Sequence, residues 1–420
     1  MGFKEKLTKY LPQLLFYMTV AMFLMPIIPR GARPILIGLY AMAAISSQII
    51  DRERFKWNYF LLNSSLFFFF LISLLYTEDL SYGFRKISTG AALIIFPLVT
   101  ASMSKRCLSY ILDRRYTLMW FFIIATLIVN VGAFIIFSKQ YSFDEVILHF
   151  VNIIRSDISG WKIHPIYLSM HIGVAMIFSL FLVQKGLHWK KLILLIIINI
   201  VFIGFLLIMI KKGPIIALIL VAAYLVLMFK NKKLYYVFGL GAIGLLSVIV
   251  FNPKVNERFS ELLQVQDADA SLTNSTNIRY SIYKCVTSVI PDAGIFGYGI
   301  GDGKNQLIDC YKEDAAFLAS HRYNSHNQFL GIILNVGYLG LLFFSLFLLY
   351  HLIRAFYKKN YLFIAVLLFY CIVMFSENVL ERENGVLFFS FFINLFLMLD
   401  YNFDKKRLKS PPLDNFKTSP

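Results

Sequence analysis

Charge is scarce in this sequence. Only 15% of its residues are charged while 58% are hydrophobic, which excludes an ordinary soluble domain of this length, since such a domain needs far more polar surface over its core. Acid is scarcer than base: 24 Asp and Glu stand against 41 Lys and Arg, a net charge of +17. Four cysteines in 420 residues are too few for a disulfide framework. His321 and His326 lie off a common helical face, without Cys or acidic partners at zinc spacing, so no metal site is expected. The glycines at 297, 299, 301 and 303 follow no strand and belong to no Rossmann unit, so nucleotide binding is not expected; their expected use is a tight turn or a close backbone approach. There is no long repeat of fixed period, and no low-complexity tract beyond the polar end "KSPPLDNFKTSP".

Long apolar runs are abundant instead. "LILLIIINIVFIGFLLIMI" at 192–210 does not alternate as a barrel strand would, and it is long enough to cross about 30 Å of hydrocarbon as a helix. Such runs near 11–28, 33–50, 58–76, 84–103, 117–137, 164–183, 191–210, 213–229, 234–251, 327–352, 360–376 and 384–400 predict an all-α integral membrane protein with about twelve transmembrane helices. Basic residues concentrate in alternate loops, among them Arg52 and Arg54, Lys105 and Arg106, Lys190 and Lys191, Lys232 and Lys233, and Lys358 and Lys359. By the positive-inside rule these loops and both termini face the cytoplasm, which accounts for the positive charge without nucleic acid. No small-residue cleavage site precedes Pro26 and Pro29, so the first helix reads as an uncleaved start.

The expected organisation is nine helices over 1–251, a large outer loop over 252–326, three helices over 327–402 and a cytoplasmic tail over 403–420. Ile278, Ile282, Val286 and Val289 mark a short helix inside the large loop. "FDEVILHFVNII" in the outer loop 138–162 reads as an amphipathic helix on the membrane surface. Cys285 and Cys310 share the large loop, where an oxidising compartment would allow a bridge that sequence alone leaves open; Cys107 and Cys371 read as plain thiols.

Charged and polar groups at outer helix ends are the candidates for chemistry. Lys211 and Lys212 in "MIKKGPIIAL" either snorkel to the interface or hold an anion, and cations are rare in the outer loops. Arg279 opens the loop helix behind a Ser/Thr/Asn-rich cap, and its guanidinium can grip two phosphate oxygens. In "HRYNSHNQF", Ser325 or Asn324 is expected to cap the tenth span, with His326 in its first turn. An imidazole there either serves the cap and the interface or takes a proton from a hydroxyl. His164, Tyr167 and His171 share a helical face, and either line a polar cavity or satisfy one another. Glu377 and Glu381, one turn apart beside Arg382, are expected to form an internal salt bridge rather than a counter-charge in a site.

Taken in order, "KKGPIIAL", "NIRYSIYK", "IFGYGIGDG" and "SHNQFLGIILNVGYLGLL" resemble the O-antigen ligase and polymerase family of bacterial envelope glycosyltransferases. "LLYTEDLSYGFRKIS", "HPIYLSMH" and "FSENVLERENGVLFFSFF" look like its Bacteroidetes-type branch. The resemblance implies a GT-C-like polytopic fold in the bacterial inner membrane, with a periplasmic loop packed over a cavity. It implies transfer of a glycan from undecaprenyl diphosphate to lipid A core oligosaccharide, or in polymerases to another carrier-linked glycan, without metal, cofactor or nucleotide sugar. The family's loop arginine falls on Arg279 and its histidine on His326, the expected catalytic pair. Its helix-end arginine falls on Lys212, which keeps the charge but loses the two-pronged grip. The chemistry would then put Lys212, Arg279, Lys211 and Lys86 on the diphosphate and His326 on the acceptor hydroxyl, with His321, Asn327, His164 and Tyr167 lining the cavity. A single displacement would invert the anomeric centre. A secondary transporter or flippase is the reading of another class; it would need paired broken helices in two related halves, which are not seen.

Overall fold

Backbone amides and carbonyls inside hydrocarbon must pair within their own segment, so apolar runs without alternation fold as helices. The computed structural model describes residues 3–155, 163–263, 274–314 and 316–399, and the regular structure among them is helical. The first half contains α1 (Phe3–Phe23), α2 (Arg33–Ile50), α3 (Trp57–Asn63), α4 (Ser65–Ser73), α5 (Leu80–Gly90), α6 (Ala92–Ser102), α7 (Lys105–Asp113), α8 (Arg115–Phe137), α9 (Phe143–Arg155) and α10 (Pro165–Lys185). The second half contains α11 (Trp189–Met209), α12 (Lys212–Phe229), α13 (Lys232–Phe251), α14 (Pro253–Ser260), α15 (Ser275–Ala293), α16 (Gly303–Asp314), α17 (Ala316–Ser320), α18 (Gln328–Tyr357), α19 (Tyr361–Met374) and α20 (Glu383–Leu397).

Among the described residues seven stretches are individually long and apolar enough to cross a membrane: Arg30–Ile50, Leu80–Ser102, Arg115–Phe137, Pro165–Lys185, Trp189–Met209, Lys212–Phe229 and Gln328–Tyr357. Of the remaining expected runs, 11–28 and 234–251 fall largely in the continuous helices α1 and α13, and the others are shorter or broken. The run 58–76 breaks at Ser64 into α3 and α4, and 360–376 and 384–400 yield the shorter α19 and α20. The amphipathic pattern of 143–155 is realised as α9, which buries Val146, Phe150, Ile153 and Ile154.

Two polar ends follow from this packing. At one, Arg106 pairs with Asp51 at 2.8 Å and Lys56 donates to the carbonyls of Ala101 and Met103. At the other, Lys212 at the start of α12 meets Glu261 and Thr276, and Arg279 and His326 both reach residues 376–377.

The segment between α13 and α18 has its own small core, in which Ile282, Val286, Leu307, Ile308, Tyr311 and Leu318 pack on Leu334 of α18. Cys285 and Cys310 are bridged, with Cα atoms 5.9 Å apart, which ties α15 to α16. The helix expected around Ile278 to Val289 runs the full length of α15, because Asn274 accepts from the amides of Thr276 and Asn277 and stops fraying at its start.

The glycine cluster holds this segment to the bundle. α18 is kinked at Val336 and Gly337, which frees backbone groups from the helical ladder. Residues 294–299 run beside the kink and satisfy them: Tyr298 donates to the Leu334 carbonyl, Gly299 to that of Asn335, and Tyr338 and Leu339 donate back to Gly294 and Ile295. Asp302 then accepts from the amides of Glu78 and Asp79, pinning the loop before α5. Thus "YTED", "IFGYGIGDG" and "NVGYLG", scattered in the sequence, form one joint of backbone against backbone.

Gly337 has φ +68°, and a Cβ there would stand 2.0 Å from the Ile295 carbonyl oxygen. Gly337→Ala is expected to cost roughly 2–4 kcal/mol and to lower the melting temperature of the solubilised protein by about 5 °C or more. Gly204→Ala, at a position with nothing within 4 Å, serves as the control and should leave it unchanged or slightly raised.

Candidate active site

His326 precedes α18 instead of lying in its first turn. The cap is Asn327, whose side chain accepts from the amides of Phe329 and Leu330, so the expected cap at Ser325 or Asn324 is displaced by two or three residues. The reason is that His326 sits at φ +43°, a left-handed conformation costly for any residue but glycine, which turns the chain just before the helix begins. Neighbours hold it there. The Asn324 side chain accepts from the His326 amide at 3.3 Å, and the Tyr283 hydroxyl lies within hydrogen-bonding distance of the carbonyls of His326 and Phe375.

The turn aims the imidazole at Glu377, with Nδ1 3.4 Å from the carboxylate and the Glu377 side chain only 6% exposed. Burial would push that carboxyl up, but the facing His326 together with His164 and Arg382 outweighs burial and holds it below the ordinary carboxylate range. The expected salt bridge of Glu377 and Glu381 with Arg382 does not form. Glu381 pairs instead with Lys86 and accepts from Asn378 at 2.6 Å. Asn378 also bonds Ser325 at 2.9 Å, and the Leu380 amide donates to Gln328, so residues 324–328 and 375–384 interlock.

Arg279 reaches the same place from α15, one helical turn before Tyr283. Its guanidinium donates to the Ser376 carbonyl at 3.4 Å and to that of Ser275 at 3.3 Å, while Nε has no partner among the described residues. Arg279 and His326 therefore border one three-residue stretch, 375–377. The start of α12 arrives there because Gly213 lies against Ser376, where a Cβ would meet its Oγ at 2.3 Å.

The two lysines of "KKGP" differ in environment. Lys212 is paired with Glu261 at 2.8 Å and donates to Thr276, so much of its charge is already neutralised. Lys211 makes no such pair among the described residues; burial, reinforced by Arg155 and Arg279, pushes its ammonium down to about 8. Of the four cations expected on a diphosphate, Lys86 and Lys212 have carboxylate partners, whereas Lys211 and Arg279 have none among the described residues.

His164 and Tyr167 line a cavity of about 440 Å³ that also takes in Arg30, Arg155, Glu381 and Arg382. The His164 ring accepts from the Ile166 amide, and burial pushes it down to about 3, so it is neutral at ordinary pH. His321 and Asn327 do not line this cavity. Asn327 is engaged as the cap, and His321 is exposed, stacked on Tyr323 with Nδ1 3.0 Å from the Phe317 carbonyl. Nor does His171 bond its neighbours on the helix face; neither ring nitrogen has a partner among the described residues, and the ring lies edge-on to Phe388.

Residues 197–345 match the family model described as O-antigen ligase. By this segment, about a third of the chain, the protein is similar to the O-antigen ligase family. The match, with the seven apolar helices, supports a membrane protein of the glycan-transferring kind, ligase or polymerase. No curated protein matches the chain. The matched segment contains Lys211, Lys212, Arg279 and His326, while Glu377, Lys86 and His164 lie outside it.

The pairing of Glu377 with His326 was not legible in the sequence, which singled out neither Arg155 nor Lys304 and gave Arg382 only a salt-bridge role. Lys304 is likewise pushed down to about 8, by burial and by nearby Lys86. The rarity of cations in outer loops, applied to "KKGP" alone, would have marked these as well.

Lys211 generates a pH expectation. Its ammonium is charged below about 8 in the folded protein but would stay charged to 10.5 in the unfolded chain, so its burial costs stability at neutral pH. That cost is relieved as pH rises from about 8 towards 10.5. Inorganic pyrophosphate should bind the solubilised protein more weakly as pH is raised through about 8, and Lys211→Arg should flatten this dependence, since a guanidinium stays charged. An unchanged pH profile in that variant would remove Lys211 from the anion site.

Proposed function

We propose that this protein transfers a glycan from undecaprenyl diphosphate to lipid A core oligosaccharide at the periplasmic face of a bacterial inner membrane, with inversion and without a metal. The observation that carries the reading is the buried Glu377 carboxylate facing the His326 imidazole beside Arg279 and Lys211.

The steps follow from the residue types. The carrier's diphosphate gains negative charge as the glycosidic bond breaks, and cations fixed in a partly dehydrated site stabilise it without reorganising. Arg279 and Lys211 occupy that role. His326 accepts the proton of the acceptor hydroxyl as its oxygen attacks the anomeric carbon from the face opposite the leaving diphosphate. Glu377 is a positioning residue: it orients the ring and stabilises the imidazolium that forms. The proton then passes to solvent.

The test is glycan transfer by purified protein supplied with carrier-linked glycan, with and without lipid A core. His326→Ala should lower transfer by about 10²–10⁴. Glu377→Gln should lower kcat by about 10–100 with little change in KM, because it acts on the base rather than on binding. Arg279→Lys should lose much of the activity, as a point charge cannot hold two oxygens at once. Wild-type rates from His326→Ala would sink the assignment. Growth of the carrier-linked chain in the absence of core would replace ligase with polymerase while leaving the donor chemistry intact.

A further inference from the structure

The cavity beside His164 carries more positive charge than the reaction above uses. Its wall includes Arg30, Arg155 and Arg382, drawn from three separate parts of the chain. Its two carboxylates are engaged elsewhere, Glu381 by Lys86 and Glu383 by Arg33. Neither Arg155 nor Arg382 lies within ion-pair distance of a carboxylate among the described residues, so the lining has a surplus of cation. The Tyr167 hydroxyl, on a side chain 1% exposed, has no hydrogen-bond partner there either.

The walls are built rather than loose. Arg33, almost fully buried, donates to the Ile28 carbonyl at 3.0 Å and to the Asn384 side chain at 2.6 Å, locking the turn that bears Arg30 against the chain that bears Arg382. A volume of about 440 Å³ falls among sites for small ligands, which run to roughly 300–1,000 Å³. Guanidinium groups, a free phenol and an amide are what an acidic sugar presents itself to: the cations take its charge and the neutral groups its hydroxyls.

We propose that this cavity is a subsite for an anionic group, phosphate or carboxylate, on the acceptor saccharide, holding it beside the His326–Glu377 pair. The word acceptor rests on the glycan-transfer reading, but binding of an acidic sugar does not. Glu381 in the cavity wall accepts from Asn378, next to Glu377, and from Asn324, two residues before His326, which connects the two places. An acidic substituent held there would bring a neighbouring hydroxyl of the same saccharide towards the base.

The full-length protein in detergent would be treated with phenylglyoxal, and the modification of Arg30, Arg155 and Arg382 followed by peptide mass spectrometry. Competitors would be mannose 6-phosphate, galacturonate, their neutral parents mannose and galactose, and farnesyl diphosphate as a short carrier headgroup. Protection of Arg382 and at least one other arginine by the acidic sugars, severalfold beyond the neutral parents, is the expected result. Arg382→Gln should weaken mannose 6-phosphate binding about tenfold. Repeating the measurement on His326→Ala separates the two ideas, since protection should persist in a protein that no longer transfers. Equal protection by neutral and acidic sugars, no protection at all, or protection by farnesyl diphosphate alone would overturn the proposal, the last by assigning the cavity to the donor.

Discussion

Charge removed from water has to be paired, and the end of this molecule that holds Arg279 and His326 is organised by that requirement. Lys86 meets Glu381, Lys212 meets Glu261, and Arg33 meets Glu383 and Asn384. Each pair joins segments far apart in the chain, so the same contacts that neutralise charge also set the relative positions of α2, α5, α12 and the turn before α20. What pairing leaves over is informative. Arg279 touches only carbonyls, and Lys211, Arg155 and Arg382 have no carboxylate partner among the described residues. Such a surplus is held in place at the cost of folding stability, and an anionic substrate is the partner that would relieve it.

Backbone contacts complement the ion pairs. The kink in α18 exposes amides and carbonyls that would be intolerable at a helix surface within a membrane, and residues 294–299 take them up one by one. This joint ties the segment between α13 and α18 to the bundle, and the disulfide ties α15 to α16 within it. Arg279 on α15 and His326 at the head of α18 are thereby registered to each other through covalent and hydrogen-bonded structure. In the proposed reaction that registration has a direct use, because leaving group and base must be held on opposite sides of one anomeric carbon.

The left-handed backbone at His326 belongs to the same economy of strain. A non-glycine residue stays in that conformation only where surrounding contacts over-determine it, and Asn324, Tyr283 and the Asn327 cap do so here. The effect is to turn the imidazole out of the helical path and onto Glu377.

Much of the fold was legible in the chain itself. Apolar runs without alternation can be satisfied only as helices, the basic loops alternate, and the amphipathic spacing of 143–155 is read by a membrane surface and a protein groove alike. The residue types of the candidate site stood out too, Arg279, His326 and Lys211 among them, because ionisable groups are rare at the ends of apolar helices. Partnerships were not. Glu377 and Glu381, one turn apart beside an arginine, read as a local salt bridge, yet one faces His326 and the other Lys86. Sequence determined which groups would be present and that they would gather at one end of a helical bundle, because hydrophobic length and loop charge act locally. Only the tertiary structure decided which cations are neutralised and which stay available, since pairing depends on distances between segments that no local pattern encodes.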